Sequence, residues 1–466
     1  MFNTIINYIN DALYSYILLI ALVAGGIYFT VRLKGAQVGM LGEQVRVVTE
    51  KPQDKKGVSS FHALMVSTAS RVGTGNIIGV STAICLGGFG SVFWMWIIAL
   101  IGSATAFIES TLAQIYKKRG PDGSYGGPAY YIESALKCRP LAIVFSVLLV
   151  ITYGIGFNML ASYNLQSTFS TYEFYNSDLT PWIIGAILSV LVGYCLFGGG
   201  ARVIKVTTLI VPIMGISYIL IALVVVFMNI AALPAVLVRI FKEAFNFSAI
   251  FGGFGGSCVM YGIKRGLFSN EAGVGSAPNA SASAEVSHPA KQGLVQILSV
   301  FIDTLLVCSA TAFMCMCSGI EPTVAISGAP YVQMSMKETL GSFGPIFITV
   351  AMVFFAFTTL LGNLFYVNQS FSHILGHTPS KKFNCVYYIL ASLVVLLGAV
   401  LSADLLWGIA DVTMGLMTLI NLPVILILSK YAFRTLIDYR KQKKMGLAPL
   451  FKSKDVGIKE NLDYWN

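Results

Sequence analysis

Stretches of about 20 apolar residues, the length an α-helix needs to cross the hydrocarbon core of a bilayer, recur along this chain between short polar connections. No soluble domain accommodates that repetition. Only 11% of the 466 residues are charged and 56% are hydrophobic, against about one-quarter charged in ordinary globular proteins. A soluble enzyme is excluded, and an all-α polytopic membrane protein is expected. Apolar windows place helices near 13–33, 58–86, 91–117, 140–162, 181–198, 204–229, 250–268, 291–316, 344–370, 384–403 and 405–429, eleven in all.

Charge placement gives the orientation, because Lys and Arg gather in cytoplasmic loops. With the N-terminus outside, 27 of the 31 Lys and Arg fall in inner segments, and Arg239, Lys242 and Lys337 alone fall in outer connections. Arg71 lies within a span. The net charge of +10 is thus accounted for by topology, and no nucleic-acid partner is expected. Residues 1–12 lack the basic start of a cleavable signal, so the first helix is expected to stay in the membrane. The outer stretch 233–247 sets Leu237, Ile240, Phe241 and Phe245 against Arg239, Lys242 and Glu243, the pattern of a structural helix lying on the membrane surface. The eight cysteines stand in or beside apolar runs without metal or redox spacing. His62, His288, His373 and His377 lie toward the inner side, and the pair His373 and His377 lacks further ligands for a metal.

Two spans are interrupted. The second contains Ser67-Thr-Ala-Ser-Arg-Val-Gly-Thr-Gly-Asn-Ile-Ile-Gly79. Its glycines fit close helix packing, but Gly73-Thr-Gly-Asn76 also exposes backbone groups that lipid cannot satisfy, which calls for a protein-enclosed cavity. The spacing does not match a nucleotide loop, and no strand precedes it. The seventh span opens with Phe251-Gly-Gly-Phe-Gly-Gly-Ser257 and runs into Arg265-Gly-Leu-Phe-Ser-Asn-Glu-Ala-Gly-Val-Gly-Ser276. With the first helix set aside, the interrupted spans are the first and sixth of ten, and five spans per half invert the second half. Such inverted repeats bind substrate where broken helices meet near the midplane. The expected divisions are 1–57 (extra helix and basic loop), 58–230 (first repeat), 231–429 (surface helix and second repeat) and 430–466 (basic tail, solvated beside anionic lipid).

Gly87-Gly-Phe-Gly-Ser-Val-Phe-Trp-Met-Trp-Ile-Ile-Ala-Leu-Ile-Gly102 resembles the signature of the alanine or glycine:cation symporter family, the sodium:alanine symporters. Gly73–Gly79, Ser269–Ser276 and Ala356–Gly362 resemble further blocks of that family in order and spacing. The resemblance implies a LeuT-like 5+5 inverted repeat with one extra N-terminal helix. It places substrate at Gly73, Thr74, Gly75 and Asn76, facing Phe254, Gly255 and Gly256, with Asn158 and Tyr153 as cavity residues. It places Na⁺ between the break and the ninth span, at the hydroxyls of Thr358 and Thr359 and carbonyls near Ala69, Val72 and Phe355. Adjacent threonines on a membrane helix also bond back to their own carbonyls, and that reading stands beside the first. One departure matters: where many members carry tryptophan, this chain has Asn363, and Val367-Asn-Gln369 replaces a Gly-Glu-Arg run. A larger, more polar pocket follows, and glutamine joins alanine and glycine as a candidate substrate.

Buried charge needs a reason, since even a lenient scale sets its cost at about 2.5–3.5 kcal/mol at the helix centre. Arg71 is either a gate or charge partner for Glu271 or Asp303, or part of a structural ion pair; Glu109 and Asp411 suit structural hydrogen bonding. The expectation is a cell-membrane (bacterial inner-membrane) importer of a small neutral amino acid, coupled to Na⁺ and without an organic cofactor. The alternative is an H⁺-coupled carrier of the same fold, or a carrier of another small polar solute. A channel would need a continuous lined pore, and an intramembrane enzyme a nucleophile or metal cluster.

Overall fold

The computed structural model describes residues 2–51, 57–120, 123–246 and 257–465. Among them, seven helices are long and apolar enough to cross a membrane: Gly90–Ile115, Arg139–Thr171, Gly199–Met228, Ala290–Met316, Phe343–Leu375, Lys381–Gly398 and Ala403–Lys444. Leu18–Arg32, Gly75–Gly87 and Thr180–Leu196 are shorter apolar helices. Two-thirds of the apolar window of Gly90–Ile115 is buried against 28% for Gly199–Met228 and 22% for Lys381–Gly398. The first therefore runs through the centre, and the other two face lipid with Leu209, Ile213, Ile216, Val386 and Ile389.

Small residues set how closely these helices approach. Gly262 and Gly266, one turn apart on Cys258–Asn270, leave room for Ser91, Trp94 and Ile98 of the central helix, each within 2.6 Å of where a Cβ would stand. Gly293 admits Phe107 and Thr111 of the same helix. At the periphery Gly185 meets Ala399, and Ser189 donates to the Ser392 carbonyl at 2.6 Å, which joins Thr180–Leu196 to Lys381–Gly398.

The amphipathic stretch expected over 233–247 forms the helix Leu233–Ala244, with Val236, Ile240 and Ala244 buried. Its Glu243 accepts from the backbone N–H of Phe89 at 2.6 Å and of Gly90 at 3.4 Å. A carboxylate thereby caps the central helix at its positive end. Arg239 holds Glu243 at 2.7 Å and Glu321 at 2.8 Å and lies over the Phe89 ring.

Three expectations change. The last helix continues to Lys444, because Ala432, Thr435, Leu436 and Tyr439 keep an inward face beyond residue 429. The tail that follows packs against protein, with Phe451, Val456, Ile458 and Trp465 buried. Trp465 Nε1 donates to the Gln114 carbonyl at 2.8 Å, Phe451 N to Ser287 at 3.1 Å, and Arg119 Nε to Asp463 at 2.8 Å. Lys264 and Arg265, counted by hydropathy in an inner connection, stand instead within Cys258–Asn270 beside Asn10 and Asp411. They sit on the side of the N-terminal residues because the helix is interrupted after them.

Candidate functional site

The first interruption follows the helix Ser60–Arg71. Val72 leaves helical geometry at ψ 88°, and the chain re-enters through a π-helical turn, Gly75–Gly79. Asn76 organises the gap. Its Oδ1 accepts from Gly73 N at 2.8 Å, and its Nδ2 donates to Asp303 Oδ1 at 2.7 Å and to the Asp303 carbonyl at 3.1 Å. Asp303 Oδ2 accepts from Ser269 and Thr304 at 2.7 and 2.8 Å. Thr74 Oγ1 accepts from Asn164 Nδ2 at 3.0 Å, and the Phe268 ring covers Gly75.

Phe254, Gly255 and Gly256 lie outside the described residues. Where the structure describes the seventh span, its helix stops at Asn270, and Glu271, Gly273 and Gly275 take φ of +53°, +91° and +89°. A non-glycine residue with positive φ is a local strain that surrounding structure must hold. Glu271 is held by Ser276, which donates to Oε2 at 2.6 Å, and by Ser70 of the first interruption, 3.5 Å from Oε1. Asn421 donates to the Gly273 carbonyl at 3.0 Å and to Glu109 at 2.9 Å, and accepts from the Tyr131 hydroxyl. The two interruptions thus meet through Ser70 and Glu271, and through Asn76, Asp303 and Ser269.

The helix Phe343–Leu375 closes a third side. Gly362 lets it approach so closely that a Cβ there would lie 2.7 Å from Ser70 N. Thr359 Oγ1 points at Gly73, is buried and has no hydrogen-bond partner. Thr358 differs: its hydroxyl donates to the Phe354 and Phe355 carbonyls at 2.9 and 3.2 Å and faces Met214. Ala69, Val72 and Phe355 are buried around the same point. Asn363, one turn beyond Thr359, accepts from Ser70 at 2.6 Å and donates to Asn158 at 3.0 Å. Tyr153 is buried edge-on to Tyr366.

Arg71 is 2% exposed and reaches neither Glu271 nor Asp303 as an ion pair; Nη1 donates to Gln296 at 2.8 Å, and Nε and Nη2 have no partner. A cluster of charged and aromatic residues adjoins Phe268. Asp411 binds Lys264 at 2.9 Å and Arg265 at 3.4 Å. The Arg265 guanidinium lies 4.0 Å from the Trp407 ring centre, and Trp407 packs on Phe268. Trp407 carries no motif, and Phe268 lies within Arg265–Ser276, where the glycines rather than the ring mark the interruption. Among the described residues no group of three or more His, Cys, Asp or Glu is placed to hold a metal ion.

Two broken helices with facing gaps and a threonine helix against them are the parts of a solute carrier, and residues 1–453 match the sodium:alanine symporter family. The chain belongs to that family. Membership makes it a transporter rather than an enzyme, and its apolar helices make it a multi-pass membrane protein. Among relatives of this symporter family, the amino-acid carrier protein AlsT of Bacillus subtilis is 43% identical, over 100% of this chain and 98% of its own. The probable sodium/glutamine symporter GlnT of the same organism is 44% identical over 97% and 93%. The sodium/alanine symporter AgcS of Methanococcus maripaludis is 36% identical over 92% and 95%. In fold, the symporter resembles the crystal structure of MhsT in complex with L-phenylalanine, with a TM-score of 0.53 at 15% identity, covering 86% of this chain and 91% of that one.

Proposed function

We propose that the protein imports a small neutral amino acid by symport with Na⁺, through alternating access of one central site. The chain is read as eleven spans: an N-terminal helix in 1–57, then repeats in 58–230 and 231–429 inverted relative to each other, with the N-terminus outside. Substrate binds at Gly73, Thr74, Gly75 and Asn76 against the second break and the Asn158–Asn363 pair. Na⁺ is bound at Thr359 and carbonyls of the first break near Ala69 and Val72. Names of relatives support the coupling ion, since GlnT and AgcS are called sodium symporters.

The observation that carries this reading is Thr359 Oγ1. A buried hydroxyl without a partner forfeits about 1–3 kcal/mol, and this one faces a backbone gap where carbonyls are free of helical geometry. A hard monovalent cation accepts such neutral oxygens. One Na⁺ moving inward gains about 2.3 kcal/mol per 100 mV, while tenfold accumulation of a zwitterion needs about 1.4 kcal/mol. A single ion is therefore sufficient for uphill uptake.

Uptake of labelled alanine, glycine and glutamine into proteoliposomes, with and without an inward Na⁺ gradient, tests it. Wild type should accumulate at least one of them only with the gradient, and Thr359→Ala should raise the half-saturating Na⁺ concentration by about tenfold, the effect of one lost ligand. Uptake indifferent to Na⁺ and to the substitution would overturn ion and site together. A proton-coupled version has one observation in its favour, the buried carboxyl of Glu271 held only by hydroxyls; uptake driven by a pH gradient without Na⁺ would select it.

A further inference from the structure

We infer that this symporter selects an amino acid whose side chain carries a carboxamide, and that Asn158 is the residue that reads it. The inference rests on the proposed symport reading and specifies what the central site accepts.

A hydrogen-bond chain runs through the site. Ser70 donates to Asn363 Oδ1 at 2.6 Å, and Asn363 Nδ2 donates to Asn158 Oδ1 at 3.0 Å. In this arrangement Asn158 Nδ2 is left at the end of the chain. Asn158 is fully buried, and that Nδ2 has no partner. Buried donors are nearly always satisfied, so a terminal free N–H inside a transport site is an open position for an acceptor brought by the ligand.

A second open position lies beside it. Ser162 follows Asn158 by four residues on the same helical face, is fully buried, and its hydroxyl is also unpartnered. The helix that carries both, Phe157–Ser167, is tied to the first break at Thr74 by Asn164 and to Ser70 through Asn363. One donor and one hydroxyl able to accept, a turn apart, match the oxygen and the NH₂ of a carboxamide. Alanine and glycine offer nothing to either. A side-chain carboxylate would add a negative charge to a region that holds three buried acidic side chains, Glu271, Glu109 and Asp303, against one buried cation, Arg71. Glutamine, or its shorter homologue asparagine, fits both positions without added charge.

The test uses the full chain in proteoliposomes under an inward Na⁺ gradient, with glutamine, alanine and norleucine as substrates. Norleucine keeps the length of glutamine and lacks its side-chain oxygen and nitrogen. Wild type should favour glutamine over both by at least about tenfold in kcat/KM, because a site built to hydrogen-bond a group rejects analogues lacking it. Asn158→Ala should collapse the glutamine-to-alanine ratio by about tenfold, the equivalent of roughly 1.4 kcal/mol, and Ser162→Ala should lower it by less. The comparison of substrates on wild type needs no variant to fold. Na⁺-dependent uptake that favours alanine, or treats norleucine and glutamine alike, overturns this inference alone. Absence of Na⁺-dependent uptake of all three overturns the symport reading and this inference with it.

Discussion

Gly73 stands in the first interruption and Thr359 on the helix packed against it, so that a side chain at 73 must displace Thr359. A Cβ on residue 73 would overlap Thr359 Oγ1, which already lies against the backbone. Gly73→Ala is therefore expected to abolish Na⁺-dependent uptake, as Thr359 is forced out of its place. The double variant Gly73→Ala with Thr359→Ala should retain a more native-like thermal midpoint than Gly73→Ala alone, because the overlapping oxygen is gone. A thermal-shift measurement of the four proteins of that cycle checks the coupling, which should exceed about 0.5 kcal/mol for groups in direct contact. The sequence made the threonine pair visible as two hard oxygens. It did not show that Thr358 turns its hydroxyl back on its own helix, since that depends on which side of Phe343–Leu375 faces Met214.

At the level of elements, the amphipathic helix and both interruptions were legible, the first from its polar glycine run and the second from the glycines of 251–257 and 265–276. Their details were not. The glycine run at 251–256 attracts attention, but the described change of direction falls at Glu271, whose positive φ is set by tertiary partners, Ser276 and Ser70. Glu243 likewise read as one charge on a surface helix, whereas it satisfies two N–H groups at the start of the central helix. Glu243→Ala should destabilise the protein by about 1–2 kcal/mol, the upper part of the range for lost helix caps, seen as a lower midpoint in a thermal-shift assay. Arg239→Ala should cost less, because its ion pairs are partly exposed and exposed pairs contribute little.

For the molecule as a whole, hydropathy gave the class, a multi-pass helical membrane protein, but not the return of the tail onto the body, because its anchors are single aromatic residues in a basic stretch. The tail covers Lys117, whose ammonium lies 4.4 Å from the Tyr464 ring centre and 5.3 Å from that of Trp465. Burial pushes the Lys117 amine down to about 8, with Glu285 opposing the shift. A chain with the tail released binds that proton more tightly, so protonation weakens docking. The weakening is fully present below about pH 8 and fades as pH rises toward the ordinary lysine value of 10.5. Proteolysis at Lys452, Lys454 and Lys459 should accordingly slow between pH 7.5 and about 9.5 in buffers where the protease rate is corrected on an unfolded peptide. Removal of residues 447–466 should raise acylation of Lys117 by at least about tenfold, measured by mass spectrometry, since a buried side chain becomes accessible. Equal labelling in the two proteins would mean that the tail does not cover this amine.

The bond between Ser70 and Asn363 spans 293 residues of chain. At about 5–20 residues per second of synthesis, the first interruption waits roughly 15–60 s in the membrane before its partner helix leaves the ribosome. During that interval Ser70 lacks its Asn363 partner, whereas Gly73 N already has Asn76 and Arg71 gains Gln296 sooner. Completion of the site then waits on the helix Phe343–Leu375, and a ribosome halted before residue 363 would leave a chain in which Ser70 still lacks its partner.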